Sequence, residues 1–255
     1  MIDCHTHITS CRDEPSAILA RAHAAGVTRL VTIGSSPDEM QAAVAVADHH
    51  PGVFLTAGMH PHHADLFDDD TAELIRRTAA HPRCVAIGET GLDFYRERVG
   101  RDQQRAAFVA QLRIARECRL PVVIHCREAD EDCFTLLADA APATVILHCF
   151  AAVSRIAEAA ERGYYCSFAG NVTYPSAASL QDAARRIPDP LLLLETDAPY
   201  LAPVPHRGRP NEPAYVIDTL RFVAALRGVS AEQLASLVED NADRAFGPAL
   251  RRAGP

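Results

Sequence analysis

The feature that most constrains the fold is a regular alternation of short apolar runs with longer segments of helical period. The runs are apolar throughout, without the polar alternation of a half-exposed strand, which is typical of parallel strands covered by helices. We interpret each run as one strand of a parallel sheet. The runs are MIDC, VTRLVTI (27–33), VFLTA (53–57), CVAIG (84–88), PVVI (121–124), TVILH (144–148), YYCSF (164–168) and LLLLE (191–195).

The segments between the runs have the period of helices, as in DQQRAAFVAQLRIARECR and in AAVSRIAEAAERG, whose last glycine suits a helix end. Eight β/α repeats in about 250 residues predict an α/β fold, a (β/α)8 TIM barrel. A doubly wound open sheet is the alternative. No linker divides the chain, so we expect a single hydrolase domain over residues 1–255, with APVPHRGRPNEP as a loop over the barrel mouth and two more helices from about residue 211.

Composition limits the function. Lys and Arg number 25 against 33 Asp and Glu, for a net charge of -8, so a basic surface for non-specific nucleic-acid binding is not expected. No apolar run reaches the roughly 18 residues of a membrane span, and the eight cysteines are scattered without a C-x-x-C pair. These features favour a cytoplasmic protein with reduced cysteines, no membrane contact and no evident obligate protein partner.

Histidines and carboxylates follow several of the predicted strands. His5 and His7 lie two residues apart, so their side chains would point to the same side of the first strand. GMHPHH follows the third strand. Each residue alone could be an ordinary turn or cap residue, but together they would meet at the catalytic end of a barrel. The others are Glu89 after the fourth run, His125 after the fifth, His148 in the sixth and Asp197 after the eighth.

Four histidines and two carboxylates suit Zn²⁺, Mn²⁺, Co²⁺ or Ni²⁺, and are too rich in nitrogen for a pure Mg²⁺ or Ca²⁺ cage. Six ligands exceed the need of one catalytic ion, whereas two ions roughly 3.5–4 Å apart would use all of them. Glu89 is the natural bridge between the ions. Asp197 could bind one ion and accept a proton from the attacking water. The sequence therefore predicts two divalent ions, with Mg²⁺ as an alternative in the cell.

A series of motifs resembles the TatD-type metal-dependent deoxyribonucleases of the amidohydrolase superfamily. In order, the motifs are DCHTH, GMHPH, GETGLDFY, HCREA, HCF, GYYCSFAGNVT, ETDAPYLAP, RGRPNEP and NADRAF. The resemblance implies hydrolysis of DNA phosphodiester bonds by hydroxide held at a two-ion site, with DNA as substrate. Glu89 stands where the superfamily often has a carboxylated lysine. The ligand positions implied are His5, His7, Glu89, His125, His148 and Asp197.

Two departures from the family pattern concern the rim of the site. The chain has HCFAA where the family usually has HCFSG, so Ala151 removes a hydroxyl, and HRGRPNEP is less basic than the usual run. Both changes bear on the substrate and leave the ligand set intact.

Other residues near the strand ends are candidates for supporting roles. Asp93 and Glu195 would orient the metal ligands by hydrogen bonds. Tyr95 and Tyr174 would either stack on a base or pack within loops. The candidate substrate contacts are His62, Arg127 and Arg207.

Two other functions remain open. A small-molecule amidohydrolase or phosphoesterase could use the same metal core, and the acidic balance and Ala151 favour it. A basic groove at the mouth would favour DNA, and a closed apolar pocket would favour a small molecule. A non-catalytic binding protein is the third alternative, against which the full ligand set argues.

Overall fold

The computed structural model describes residues 1–251; residues 252–255 of the expected domain lie outside the described part. Eight strands form one parallel sheet in the order of the chain, β1 next to β2 and so on to β8. The strands are β1 (Ile2–Thr6), β2 (Arg29–Thr32), β3 (Val53–Ala57), β4 (Cys84–Asp93), β5 (Val122–Arg127), β6 (Val145–Leu147), β7 (Tyr165–Phe168) and β8 (Leu192–Leu194).

The helices lie between the strands, and the last three follow β8. Ser36 begins α2 by accepting a hydrogen bond from the Glu39 backbone, and Ser230 and Gln233 form a reciprocal cap at the start of α9. The helices are α1 (Pro15–Ala24), α2 (Pro37–His49), α3 (Asp69–Ala79), α4 (Arg101–Cys118), α5 (Asp130–Ala140), α6 (Ile156–Glu161), α7 (Ala178–Arg186), α8 (Val216–Arg227), α9 (Ala231–Ala245) and α10 (Pro248–Arg251).

The first strand meets the segment after the last strand and nearly closes the barrel. The Asp197 N–H donates to the His5 carbonyl at 3.0 Å, and the His7 N–H donates to the Ala198 carbonyl at 2.8 Å. Asp3 adds a side-chain link, because its carboxylate accepts from the Thr196 N–H at 2.9 Å. The prediction of a (β/α)8 barrel is thus confirmed. The alternative, an open doubly wound sheet, is wrong because the two edge strands of such a sheet would not meet.

The predicted strands are confirmed in number and order, and they differ from the observed ones mainly at their ends. β4 continues to Asp93, five residues past the predicted end at residue 88, so Glu89 lies inside the strand. β8 ends at Leu194, so Glu195 and Asp197 lie in the loop that follows. Every residue of β1, β3 and β4 is buried, as strands within a helix-covered barrel require.

The chain after β8 covers part of the barrel end before it returns to the helical layer. The expected pair of later helices is present as α8 and α9, with the short α10 after them. Among residues 1–251, no helix combines the length and the hydropathy needed to cross a bilayer.

Candidate metal centre

Glycines on either side of Glu89 let β4 lie close against β5. Gly88 has φ +143°, and a Cβ there would come within 2.5 Å of the Val123 carbonyl oxygen. Gly91 has φ +139°, and a Cβ there would come within 2.0 Å of the His125 carbonyl oxygen. Since only glycine fits at these two positions, the GETG motif brings Glu89 to 2.8 Å from the Nδ1 atom of His125.

The two carboxylate oxygens of Glu89 face different groups of histidines. Glu89 is 2% exposed, so its charge is held within the mouth of the barrel. From Oε1 the distances are 2.8 Å to His125, 2.9 Å to His148 and 3.4 Å to His60; from Oε2 they are 3.6 Å to His5 and 3.5 Å to His7. One carboxylate thus joins two sets of ring nitrogens.

Asp197 belongs to the set that contains His5 and His7. Its Oδ1 lies 3.7 Å from His5 Nε2 and 3.5 Å from His7 Nε2, and the two Nε2 atoms are 3.4 Å apart. Asp197 has φ +55°, a left-handed conformation that aspartate adopts more readily than most residues. The structure therefore brings together all six residues that the sequence predicted as metal ligands.

His60 also belongs to this cluster, although the sequence analysis did not single it out. Its ring centroid lies 4.5 Å from that of His125, and its Nε2 faces Glu89. Burial lowers the pKa of His60 to about 4, which keeps the imidazole neutral and its lone pair free. The signal for it is the GMHPHH motif after β3, in which the sequence points to His62 as a candidate substrate contact.

Asp93 holds two histidines in place. Its Oδ2 lies 2.9 Å from His62 Nε2 and 3.2 Å from His125 Nε2. Its Oδ1 accepts the N–H groups of Tyr95 and Arg96, which fixes the carboxylate. Asp93 therefore contacts two of the rings beside the cluster, and the orienting role stays a prediction.

Glu195 occupies the corresponding position on the other side of the cluster. Its Oε1 accepts the Cys149 N–H at 2.8 Å and lies 3.2 Å from His148 Nδ1. Glu195 and Asp197 are two residues apart in a loop, yet Glu195 contacts His148 while Asp197 contacts His5 and His7. They do not share the strand face that an extended β8 would have given them.

The candidate substrate contacts lie in different places. A cavity of about 610 Å³ opens above the cluster, and both His62 and Arg127 line it. The Arg127 guanidinium lies 4.0 Å from the centroid of the Tyr95 ring. Arg207 instead lies over the Tyr174 ring at 4.4 Å, and neither residue is part of the cavity wall.

Comparison with known proteins identifies the group to which this barrel belongs. The family described as TatD related DNase matches residues 2–247. The chain belongs to the TatD family. It is 40% identical to the 3'-5' ssDNA/RNA exonuclease TatD of Citrobacter rodentium, over 99% of this chain and 100% of that protein. It is 38% identical to an uncharacterized metal-dependent hydrolase TatD of Mycobacterium tuberculosis, over 97% and 98% of the two chains.

A solved structure shows the same fold. The TatD homolog YjjV of Escherichia coli K12 superposes with a TM-score of 0.92 at 26% identity, covering 96% of this chain and 97% of that one. The resemblance inferred from the motifs is confirmed over the whole barrel, and the chain is a metal-dependent hydrolase of the TatD type.

The TatD-family cluster has the chemistry of a cation site. His5 Nδ1 and Glu195 Oε2 are buried and have no hydrogen-bond partner within residues 1–251. Imidazole nitrogens with carboxylate oxygens are a donor set for divalent transition metals. Three sets of such atoms lie within 4.8 Å of one another, namely His5 with His7 and Glu89, His60 with Glu89 and His125, and His5 with His148 and Glu195.

The charges of the carboxylates fit the same interpretation. Burial would raise the pKa of Glu89, but the charge of His148 and the hydrogen bonds from His125 and His148 lower it well below its usual range. Burial likewise opposes ionisation of Asp197, but its hydrogen bond with His7 and the charges of His148 and His7 together lower the pKa. Both groups are therefore anionic at neutral pH, which suits the binding of a cation.

Proposed function

We propose that the chain hydrolyses phosphodiester bonds of nucleic acid and binds two divalent ions on either side of Glu89. The observation that carries this proposal is the division of Glu89, whose Oε1 faces one set of histidines while Oε2 faces another. One set would use His5, His7 and Asp197, and the other His125 and His148, with His60 beside them. A bridging carboxylate between two such sets is the arrangement of two-ion hydrolases.

The residues of the chain would divide the remaining work. Divalent ions, when bound, supply positive charge for the phosphoryl oxygens and lower the pKa of water. Asp197 would accept the proton of the attacking water through the carboxylate oxygen that it does not use as a ligand. Asp93 and Glu195 would fix the rings of His125 and His148, because each carboxylate lies 3.2 Å from a nitrogen of one of these rings.

The substrate proposal draws on the relatives and on the cavity wall. Two of the relatives, from Citrobacter rodentium and Dickeya dadantii, are named 3'-5' ssDNA/RNA exonucleases. Arg96, Arg98 and Arg127 line the cavity and could bind backbone phosphates. We therefore propose single-stranded DNA or RNA, shortened from its 3' end, as the substrate. Because the net charge of the chain is -8, a local group of arginines is needed to attract a polyanionic substrate.

Metal analysis and a substrate panel test the proposal. The protein is purified after growth with Zn²⁺ or Mn²⁺, its metal content is measured, and it is then assayed with and without chelator. The panel contains single-stranded DNA, double-stranded DNA, RNA, and small amide and phosphate esters. We expect up to two ions per chain, chelator-sensitive cleavage, and preference for single strands. Absence of metal together with chelator-resistant activity would contradict the proposal.

Small-molecule hydrolysis is the second candidate, and Ala151 is the observation that favours it. Ala151 lines the cavity at the position where the family usually carries a serine, so one polar group is missing from the wall. Higher kcat/KM on a small phosphate ester or amide than on any oligonucleotide would support this candidate over the first.

A further inference from the structure

The cavity above the cluster has two unlike sides. Arg96, Arg98 and Arg127 lie on the side formed by β4 and β5 and their loops. Tyr200 lies on the opposite side, in the segment after β8, and Glu39 lies in the first turn of α2. One side is therefore cationic, while the other presents an aromatic ring and a carboxylate.

Tyr200 is a large side chain left open to solvent beside the cluster. It is 56% exposed, although its ring centroid lies 6.0 Å from that of His7, with the ring planes at 74°. Its N–H donates to the Asp197 carbonyl at 2.8 Å, so it follows the proposed proton acceptor by one turn of chain. An aromatic ring in this position can reach a group bound at the ions.

The backbone of Tyr200 is held firmly even though its ring is exposed. The buried Asn211 side chain donates to the Tyr200 carbonyl at 2.6 Å and to the Thr196 carbonyl at 2.8 Å. The Asn211 N–H also donates to the Pro199 carbonyl at 3.0 Å. A tyrosine has only two side-chain torsions, so a ring on a fixed backbone loses little entropy when it binds a ligand.

The charges of the cavity wall indicate in which direction a bound nucleic-acid strand would run. Phosphates are attracted to the arginine side, whereas Glu39 would repel a phosphate on the side of Tyr200. The Glu39 carboxylate is anchored there because Ser35 donates to it from its backbone N–H at 3.2 Å and from its hydroxyl. A nucleic-acid strand bound over the arginines would therefore end beside Tyr200.

On the premise of the nuclease function above, we propose that Tyr200 stacks on the base of the terminal nucleotide, the one that hydrolysis releases. Stacking on an aromatic ring tolerates every base, because each base has a π face. Tyr200 thus recognises that a base is present and does not read which base it is.

Three oligonucleotides test this proposal with the metal-loaded protein. One is complete, one lacks the base of the 3'-terminal nucleotide, and one lacks the base of the next nucleotide. For the wild type we expect the terminal abasic site to raise KM about tenfold, within the range for loss of one base–aromatic stack, with little change in kcat. The internal abasic site should have a much smaller effect.

Variants assign the effect to one ring. Tyr200→Leu should bring the ratio of kcat/KM between the complete and the terminal abasic oligonucleotide close to one, and Tyr200→Trp should keep the ratio. Tyr95 is the matched control, since it is also 56% exposed but lies on the arginine side, next to Arg127. Tyr95→Leu should leave the ratio at the wild-type value.

The outcomes separate this proposal from its premise. If the wild type cleaves all three oligonucleotides equally well, or if Tyr200→Leu keeps the wild-type ratio, the stacking role is wrong and the nuclease function stands. Greater sensitivity to the internal abasic site would also overturn the terminal position. If no oligonucleotide is cleaved, both the function and the stacking role are wrong.

Discussion

Glu89 keeps its negative charge in a buried position because histidines surround it. Burial opposes its ionisation, and the charge of His148 with the hydrogen bonds from His125 and His148 lowers its pKa well below the usual range. The cost of a buried carboxylate is thus offset by the same groups that would share metal ions with it. Glu89 and the charged histidine beside it therefore stabilise one another.

Glu89→Gln tests the bridge, because the amide keeps the shape and removes the charge. We expect turnover to fall at least about a hundredfold, because changes near metal ligands commonly cost 10–100-fold and Glu89 is proposed to be a ligand itself. Metal content should also fall below that of the wild type. Turnover and metal stoichiometry are measured together, and near-normal turnover at saturating metal would show that the bridge lies elsewhere.

Asp197→Asn separates proton transfer from metal binding. The amide oxygen can still coordinate weakly and the histidines remain, so the protein should bind metal while turnover falls about 10²–10⁴-fold, the range for removal of a positioned acid or base. The acidic limb of the pH–rate profile should change as well.

Glu195→Gln is the matched control for that loss. Glu195 contacts His148 and the Cys149 N–H, so the change should cost much less than Asp197→Asn if its role is to orient. The assignment of Asp197 is wrong if Asp197→Asn turns over normally or if Glu195→Gln is the more damaging change.

Sequence reasoning brought the six proposed ligands together because each lies near the end of a predicted strand, and the strand ends of a parallel barrel converge at one end. It missed His60 because GMHPHH offers three histidines in one loop, and spacing alone does not show which of them turns inward. In the fold, His60 faces Glu89 while His62 pairs with Asp93. The choice depends on loop geometry that no periodicity encodes.

At the scale of the elements, the seam between β1 and the segment after β8 adds a side-chain link to its two backbone hydrogen bonds. The fully buried Asp3 carboxylate accepts from the Thr196 N–H and hydroxyl, at 2.9 Å and 2.6 Å. Burial raises the pKa of Asp3 to about 8, although the hydrogen bonds from Thr196 and His5 oppose the shift. The seam is therefore sensitive to proton concentration.

The unfolding free energy should reveal this sensitivity. The unfolded chain loses the Asp3 proton near pH 3.8, whereas the folded chain keeps it to about pH 8. Between these values the folded state binds more protons, so the contribution of Asp3 to stability falls as pH rises, by up to about 1.4 kcal/mol per pH unit. Above about pH 8 this slope should end.

Asp3→Asn cannot titrate and should lack this component. Denaturant unfolding of both proteins from pH 5 to pH 9, in chelator, measures the difference. The unfolding free energy of the variant relative to the wild type should rise with pH across this window. Parallel curves would show that Asp3 does not hold its proton in the fold.

The lengths of the elements show what a sequence pattern leaves out. The apolar run CVAIG ends at residue 88, so it predicts a strand that ends there. The strand continues to Asp93 since the close approach of β5 at Gly88 and Gly91 keeps the backbone paired. That approach is a property of two strands together, and neither strand shows it alone.

For the whole molecule, the acidic balance makes binding of a polyanion depend on a few positions. Arg96, Arg98 and Arg127 are the arginines in the cavity wall. For a single strand, each phosphate contact contributes a slope of about -0.7 in the logarithm of affinity against the logarithm of salt. Three contacts predict a total slope of about -2.

Arg98→Gln should make that slope shallower by about 0.7, since one phosphate contact is lost. Arg207→Gln is the matched control, because Arg207 lies over Tyr174 outside the cavity wall and should leave the slope unchanged. Fluorescence anisotropy of a labelled oligonucleotide over a salt series gives both values. An equal change in both variants would extend the binding surface to the loop after β8.

The seam also sets an order of events during translation. Thr196 lies 193 residues after Asp3, so the first strand leaves the ribosome long before the segment that pairs with it. His5 and His7 emerge early, while Asp197 emerges only when β8 is complete. A nascent chain thus carries most of the proposed ligands before they can meet, and the hydrolase is complete only after nearly the whole barrel has been made.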